Sequence, residues 1–223
     1  MKTKNLIIQI FLCLSGILCF SSFLNGQITI SLDNPSFEDL PRAGTAYTPP
    51  IKDWYDCGSQ FPEETPPDIH PVPEHAWDVS MQPYDGLTYL GLVVRYNNTY
   101  ESVSQKLEHS LEEGKCYSFS AFLVRSGTYL SGTRRSMSKL ENFISPAVLR
   151  IWGGNNACDR LELLGQSDPV DNTSWKEYNF VLQPKEDYTF ITIEAYYSDS
   201  GIKAYNGHIM VDNLSSIVEM ECK

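Results

Sequence analysis

The sequence predicts an all-β protein: a jelly-roll β-sandwich of two antiparallel sheets, interrupted by a long Pro-rich loop. Three features predict it. Runs rich in β-branched, aromatic and Leu residues follow one another from Leu87 onwards. Gly, Pro, Asn and Asp fill the gaps between them. No stretch keeps a helical period beyond a single turn near Ser136 to Glu141.

At the N-terminus, Lys2 and Lys4 precede a nearly uninterrupted apolar run from Leu6 to Phe20, and Ser21 to Gly26 turns smaller and more polar. This is the pattern of a secretory signal peptide over residues 1–26, cleaved after Gly26 and leaving residues 27–223 as one domain. The apolar run falls short of the roughly 20 residues a stable span needs, and no later stretch approaches that length. The expectation is therefore an exported protein without membrane insertion, placed outside the cell, at its surface or in the periplasm. Leu12 and Leu18 stand before Cys13 and Cys19 where a lipid anchor requires a small residue, which argues against lipidation.

Loss of Lys2 and Lys4 moves the formal charge from −11 to −13, since no acid leaves with them. A surface this acidic repels nucleic acid and anionic lipid. It suits divalent cations, cationic partners or neutral ligands such as sugars. The segment Pro41 to Pro83 holds nine of the 13 prolines and few strand formers, so it reads as a long irregular excursion.

Strands are expected over 87–94, 100–107, 116–124, 147–152, 175–182, 188–197 and 208–217. In the run from Tyr188 to Tyr197, period-2 alternation puts Tyr188, Phe190, Thr192, Glu194 and Tyr196 on one side. Thr189, Ile191, Ile193, Ala195 and Tyr197 take the other. Cys57, Cys116, Cys158 and Cys222 remain after processing, an even number that reads as two disulfides in an exported chain. Three pairings are open; we favour Cys57 with Cys116 and Cys158 with Cys222. No C-x-x-C pair is present and the four His are scattered, which disfavours zinc.

Asn34 to Glu38 (NPSFE) near the start and Val211 to Ile217 (VDNLSSI) near the end resemble the first and last strands of carbohydrate-binding-module-like jelly rolls of the galactose-binding superfamily. Trp54, Asp85 to Tyr89 (DGLTY), Gly114 to Ser120 (GKCYSFS) and Trp175 to Tyr178 (WKEY) resemble further elements of that family. More narrowly, the DCG, IWGG and YNGHIMVDNLS segments are similar to a domain of secreted and gliding-associated surface proteins of Bacteroidota. The resemblance implies a structural Ca²⁺ held by Glu38 and Asp212, with Asp39 and Asp85 as further candidates. It also assigns Phe37, Trp54, Tyr89, Phe119, Trp175, Tyr178 and Phe180 to the framework.

Aromatics in loops or at strand ends are then the candidates for ligand contact: Trp77, Tyr129, Trp152, Tyr197 and Tyr205. Gly153 to Asn156 (GGNN) sets the Trp152 indole beside a turn with amide donors. H-E-x-x-H, G-x-S-x-G and phosphate-cradling loops are absent. The expected function is a secreted, non-catalytic module that binds a neutral or weakly charged glycan, or another cell-surface ligand, through Trp77, Trp152 or Tyr205. The competing reading is an assembly component of a bacterial surface machine acting through protein contacts, and the third is a glycan-active enzyme.

Overall fold

A computed structural model describes residues 27–44, 49–58, 66–133, 136–198 and 203–222; the signal peptide expected over 1–26 lies outside them. Strands dominate. The first three are short: β1 (Thr29–Ile30), β2 (Tyr55–Asp56) and β3 (Asp68–His70). β4 (Tyr89–Val94), β5 (Ser102–Leu111) and β6 (Cys116–Val124) follow, then the hairpin of β7 (Leu130–Thr133) and β8 (Ser136–Asn142). β9 (Ser145–Gly154), β10 (Glu162–Gln166), β11 (Lys176–Leu182), β12 (Tyr188–Tyr197), β13 (Gly207–Asp212) and β14 (Ile217–Met220) complete the fold.

These strands form two layers. In the first, β6 pairs along its length with β11 on one side. On its other side it pairs with β14 at the Cys116 end and β13 at the Val124 end. β4 and β3 extend this layer beyond β13, and β1 pairs with β14. The second layer runs β2, β5, β12, β9, β10. All pairings within a layer are antiparallel, and a short parallel contact of Gly207 with Ser145 and His208 with Pro146 joins the layers at one corner.

The core lies between the layers. Tyr117, Phe119, Ala121 and Leu123 of β6 face Ile191, Ile193 and Ala195 of β12 and Leu149 and Ile151 of β9 across it, and all are buried. Each large apolar side chain so placed contributes roughly 1.5–3 kcal/mol. A second, smaller cluster sits on the opposite side of the first layer. Tyr89, Val93, Val124 and Met210 alternate with core residues on the same strands and are covered by Trp77, Val79, Tyr129 and Phe143.

Several expectations need correction. The turn of helix near Ser136 to Glu141 is strand β8, because its pairing with β7 decides a segment whose local preference is weak. The single strand expected over 208–217 is broken at Asn213, whose φ is 45°, into β13 and β14. The Pro-rich excursion is mostly irregular yet supplies β2, β3 and a 3-10 turn, Pro73–Asp78. Trp175 is half-buried against the second cluster rather than in the main core.

The favoured cysteine pairing is also corrected: the disulfides are Cys57–Cys158 and Cys116–Cys222. The reason is sheet membership. β14 pairs Met220 with Cys116, which brings Cys222 alongside, whereas Cys57 follows β2 in the other layer. No described helix is long and apolar enough to cross a membrane.

Candidate functional site

The outward side of the second layer carries the best candidate site, and strand alternation builds it. Because Leu149 and Ile151 of β9 point into the core, Arg150 and Trp152 point out. On β12 the same rule sends Phe190, Thr192, Glu194 and Tyr196 outward. Antiparallel register aligns them in rows. Arg150 stands opposite Glu194, which stands opposite Ser102. In the next row Leu163, Trp152, Thr192, Ser104 and Tyr55 follow one another across β10, β9, β12, β5 and β2. Tyr188 departs from the face assigned by alternation: a bulge between it and Phe190 turns it inward, where it is buried.

The floor is polar and buried. Ser102, Ser104, Thr192 and Glu194 are at most 1% exposed although they lie on the outward side. Thr192 Oγ1 donates to Ser104 Oγ at 2.9 Å, and that hydroxyl donates to the Ile191 carbonyl at 3.0 Å. Glu194 accepts from the Trp152 indole N–H at 3.2 Å and, with its other oxygen, from Arg160 Nε. Arg160 also donates to Ser102 Oγ at 2.8 Å. Burial pushes the Glu194 carboxyl above the usual range, and Arg160 and Trp152 pull it back.

Half-exposed rings surround this floor. Tyr100 and Tyr196 meet edge to face at 5.1 Å, and Tyr55 and Phe190 lie 6.1 Å apart. Arg160 lies 5.4 Å from the Tyr100 ring centre, and Arg150 sits 3.5 Å above that of Tyr196. The turn that delivers Arg160 is tied down twice. Asp159 accepts from the backbone N–H groups of Asn155 and Asn156, and Cys158 is bonded to Cys57 beyond β2. Gly153 and Gly154 are required here: a Cβ on the first would come within 2.5 Å of the Tyr188 ring, and on the second within 2.4 Å of Asp159. The amides of Asn155 and Asn156 engage Thr189 and Asp159, so they serve the turn.

Of the five aromatics expected to contact ligand, Trp152 alone is on this face. Tyr129 is 2% exposed and donates to Asp68, and Tyr197 is 7% exposed and donates to the Arg95 carbonyl. Both were expected at loops or strand ends; packing takes their rings inside. Tyr205 donates to the Pro146 carbonyl at 2.6 Å and packs edge-on to Tyr197. Trp77 stacks on Tyr129 in the second cluster, on the far side of the molecule from Trp152.

A second polar group lies in that cluster and is closed. Asp68 accepts from Tyr129 and from the Gly44 N–H at 2.7 Å, and burial pushes its carboxyl up to about 6. His70, wholly buried, is held down to about 3 by desolvation and by His208, which is itself near 4. His208 uses both ring nitrogens, one with Phe143 and one with Ser126, so it is not free to ligate a metal.

Glu38 and Asp212 grip one loop from two ends. Glu38 Oε1 accepts from the N–H groups of Leu87 and Thr88, and Asp212 Oδ2 from those of Tyr84 and Asp85. Asp85 accepts from Ser36, while Asp39 is engaged by Arg42 and the Lys52 N–H. Burial, with the charge of Asp85, pushes the Asp212 carboxyl up to about 6 against three backbone N–H bonds. Among the described residues no three His, Cys, Asp or Glu side chains gather in a metal-binding arrangement. The donors at this loop are nonetheless hard oxygens, and Glu38 Oε2 accepts no hydrogen bond among the described residues.

No protein-family model matches the chain, and no curated protein does. Solved structures do. A Stig cyclase, Fisc, from Fischerella sp. TAU in complex with (3Z)-3-(1-methyl-2-pyrrolidinylidene)-3H-indole is 13% identical, with a TM-score of 0.51 over 88% of this chain and 100% of that one. An arabinose-bound GH51 α-L-arabinofuranosidase is 13% identical, with a TM-score of 0.53 over 86% of this chain and only 27% of that one. A CBM4 structure is 14% identical over 85% of this chain and 100% of that one, with a TM-score of 0.45, too low to carry an argument. The likeness is one of fold alone: the chain is an all-β sandwich.

Proposed function

We propose that this chain is an exported, single-domain, non-catalytic binding module that holds a glycan across the outward side of its second layer. The observation that carries the reading is the set of half-exposed rings, Trp152, Tyr100, Tyr196, Phe190 and Tyr55, around a buried polar floor. Ring faces suit the apolar faces of sugars, and polar groups already fixed by hydrogen bonds lose little entropy on binding. Both oxygens of Glu194 are engaged, by Trp152 and Arg160, which supports a positioning role over proton transfer. In glycan-array screening followed by calorimetry, Trp152→Ala is expected to weaken binding by about 30-fold or more, the loss typical of a central aromatic anchor. Trp77→Phe, on the far side, should leave affinity unchanged. Retention of no glycan, or dependence on Trp77 instead of Trp152, would overturn the reading.

The assembly alternative keeps one supporting observation. Leu40 and Leu87, 77% and 78% exposed, sit on segments joined by the bonds of Glu38 and Asp39 to the 84–88 loop, beside the exposed Tyr84. Pulldown of a surface protein that depends on Leu40 and Leu87, without glycan retention, would favour it.

At that same loop we propose a structural Ca²⁺ held by Glu38 and Asp212, with main-chain carbonyls and water supplying most of the remaining donors. Extracellular calcium sites bind with dissociation constants of about 10⁻⁴–10⁻³ M, and saturation at 100 times that value adds about 2.7 kcal/mol to folding. Calcium should raise the melting temperature, chelator should lower it, and Asp212→Asn should abolish the response. Identical melting in chelator and in saturating calcium would remove the site.

A further inference from the structure

Two cations stand on the aromatic face, Lys106 opposite Phe190 and Arg150 opposite Glu194, and the arginine is the one beside Trp152. Among the described residues Arg150 makes no ion pair, although the chain carries a formal charge of −11 and Arg42, Arg95 and Arg160 are each paired with a carboxylate. Its place is fixed all the same. Nε donates to Gln166 Oε1 at 2.8 Å, and the guanidinium lies 3.5 Å above the Tyr196 ring and 6.0 Å from that of Trp152. The carboxylate whose field it shares, Glu194, is turned to Arg160 and Trp152. Nη1 and Nη2 therefore have no hydrogen-bond partner among the described residues, and neither is buried. An orientated guanidinium with both terminal groups open is a fork for a planar or tetrahedral oxyanion, and stacking on Tyr196 reduces the entropy lost when that fork is filled.

We propose that this face takes an anionic sugar residue, with a carboxylate or sulfate of the ligand on Nη1 and Nη2 of Arg150 and a ring of the ligand against Trp152. The proposal rests on the reading of this face as the binding surface, and narrows its ligand class. Overall acidity suited divalent cations, cationic partners or neutral ligands, but surface charges beyond about 8–10 Å are largely screened at physiological salt, so the local cation governs. Trp152 and Arg150 leave β9 two residues apart on the same side, so one sugar unit can meet both.

The test is calorimetry of the full chain with three probes: an oligogalacturonate for the carboxylate, a sulfated galactan for the sulfate, and neutral xylo- and cello-oligosaccharides. Wild type is expected to bind at least one acidic probe, with affinity falling as salt is raised. Arg150→Gln should weaken that binding roughly 10- to 100-fold, as for loss of a charge-assisted hydrogen-bond pair. Which acidic probe is held identifies the oxyanion. An unchanged melting temperature separates the loss from misfolding, and if Arg150→Gln loosens β9, Arg150→Lys, which keeps the charge without the fork, replaces it and should weaken binding less. Acidic binding unaffected by either variant overturns the proposal. Binding of neutral oligosaccharides alone, still dependent on Trp152, overturns it while leaving the binding-module reading intact. Binding of none of the probes, with no retention on a broader array, removes both.

Discussion

Replacing Cys57 and Cys158 together with Ala should lower stability by about 4–5 kcal/mol, the chain-entropy expectation for a loop of roughly 100 residues. The bond closes a separation of 101 residues and joins β2 to the turn that delivers Arg160. In a chain of this size such a loss corresponds to a fall of roughly 10–20 °C in melting temperature. The companion bond Cys116–Cys222 closes 106 residues, so its removal should cost nearly as much. The two variants should part on ligand binding. Loosening the Arg160 turn weakens the polar floor, while freeing Cys222 acts at the edge where β14 meets β6. Urea denaturation and calorimetry on both double variants make the comparison. Equal affinity in the two would show that the first bond has no part in shaping the site.

Arg160→Met is the point substitution with the largest expected effect. Glu194, 1% exposed, would keep only the Trp152 N–H. Removing one partner of a buried pair costs about 3–5 kcal/mol, and the lower end applies because Arg160 is itself 19% exposed. The loss should depend on pH. Burial already raises the Glu194 pKa, and without Arg160 it rises further above its unfolded value. The folded state then takes up a proton where the unfolded chain does not, so stability recovers as pH falls through the folded pKa towards 4.5. Denaturation at pH 7 and pH 5 should show a smaller deficit at the lower pH. An equal deficit at both would mean that the loss comes from packing alone.

Much of the architecture was legible because period-2 alternation is a local signal. The strands Cys116–Val124 and Tyr188–Tyr197 have the bounds expected from sequence, and Thr192, Glu194 and Tyr196 lie on the side that alternation assigned. What was not legible depends on partners distant in the chain. β8 is a strand because β7 pairs with it, and Cys222 finds Cys116 because β14 lies on β6. Of the proposed binding face, Trp152 is the one residue that was also among those expected from sequence. Arg150 stands two positions before it on the same strand and could have been read beside it by alternation. Arg160 and Tyr100 could not, since a turn and a strand entrance bring them over Glu194 and Ser102. Tyr129 and Tyr197 were misplaced because a ring beside turn residues looks exposed until the elements that cover it are known.

Among the described residues β1 finds its strand partner in β14, with Thr29 opposite Val218 and Ile30 opposite Ile217. Ile30 is fully buried, so this pairing also closes one end of the core. Everything between β1 and β14 must therefore be present before β1 can complete this pairing. Contacts of such length are reached late, because the entropy of closing the loop is lost before the contact gives anything back. A chain still being made holds β1 and the Ile30 side chain without this partner until β14 is present. Closure of this end of the core is thus timed by β14 and not by β1.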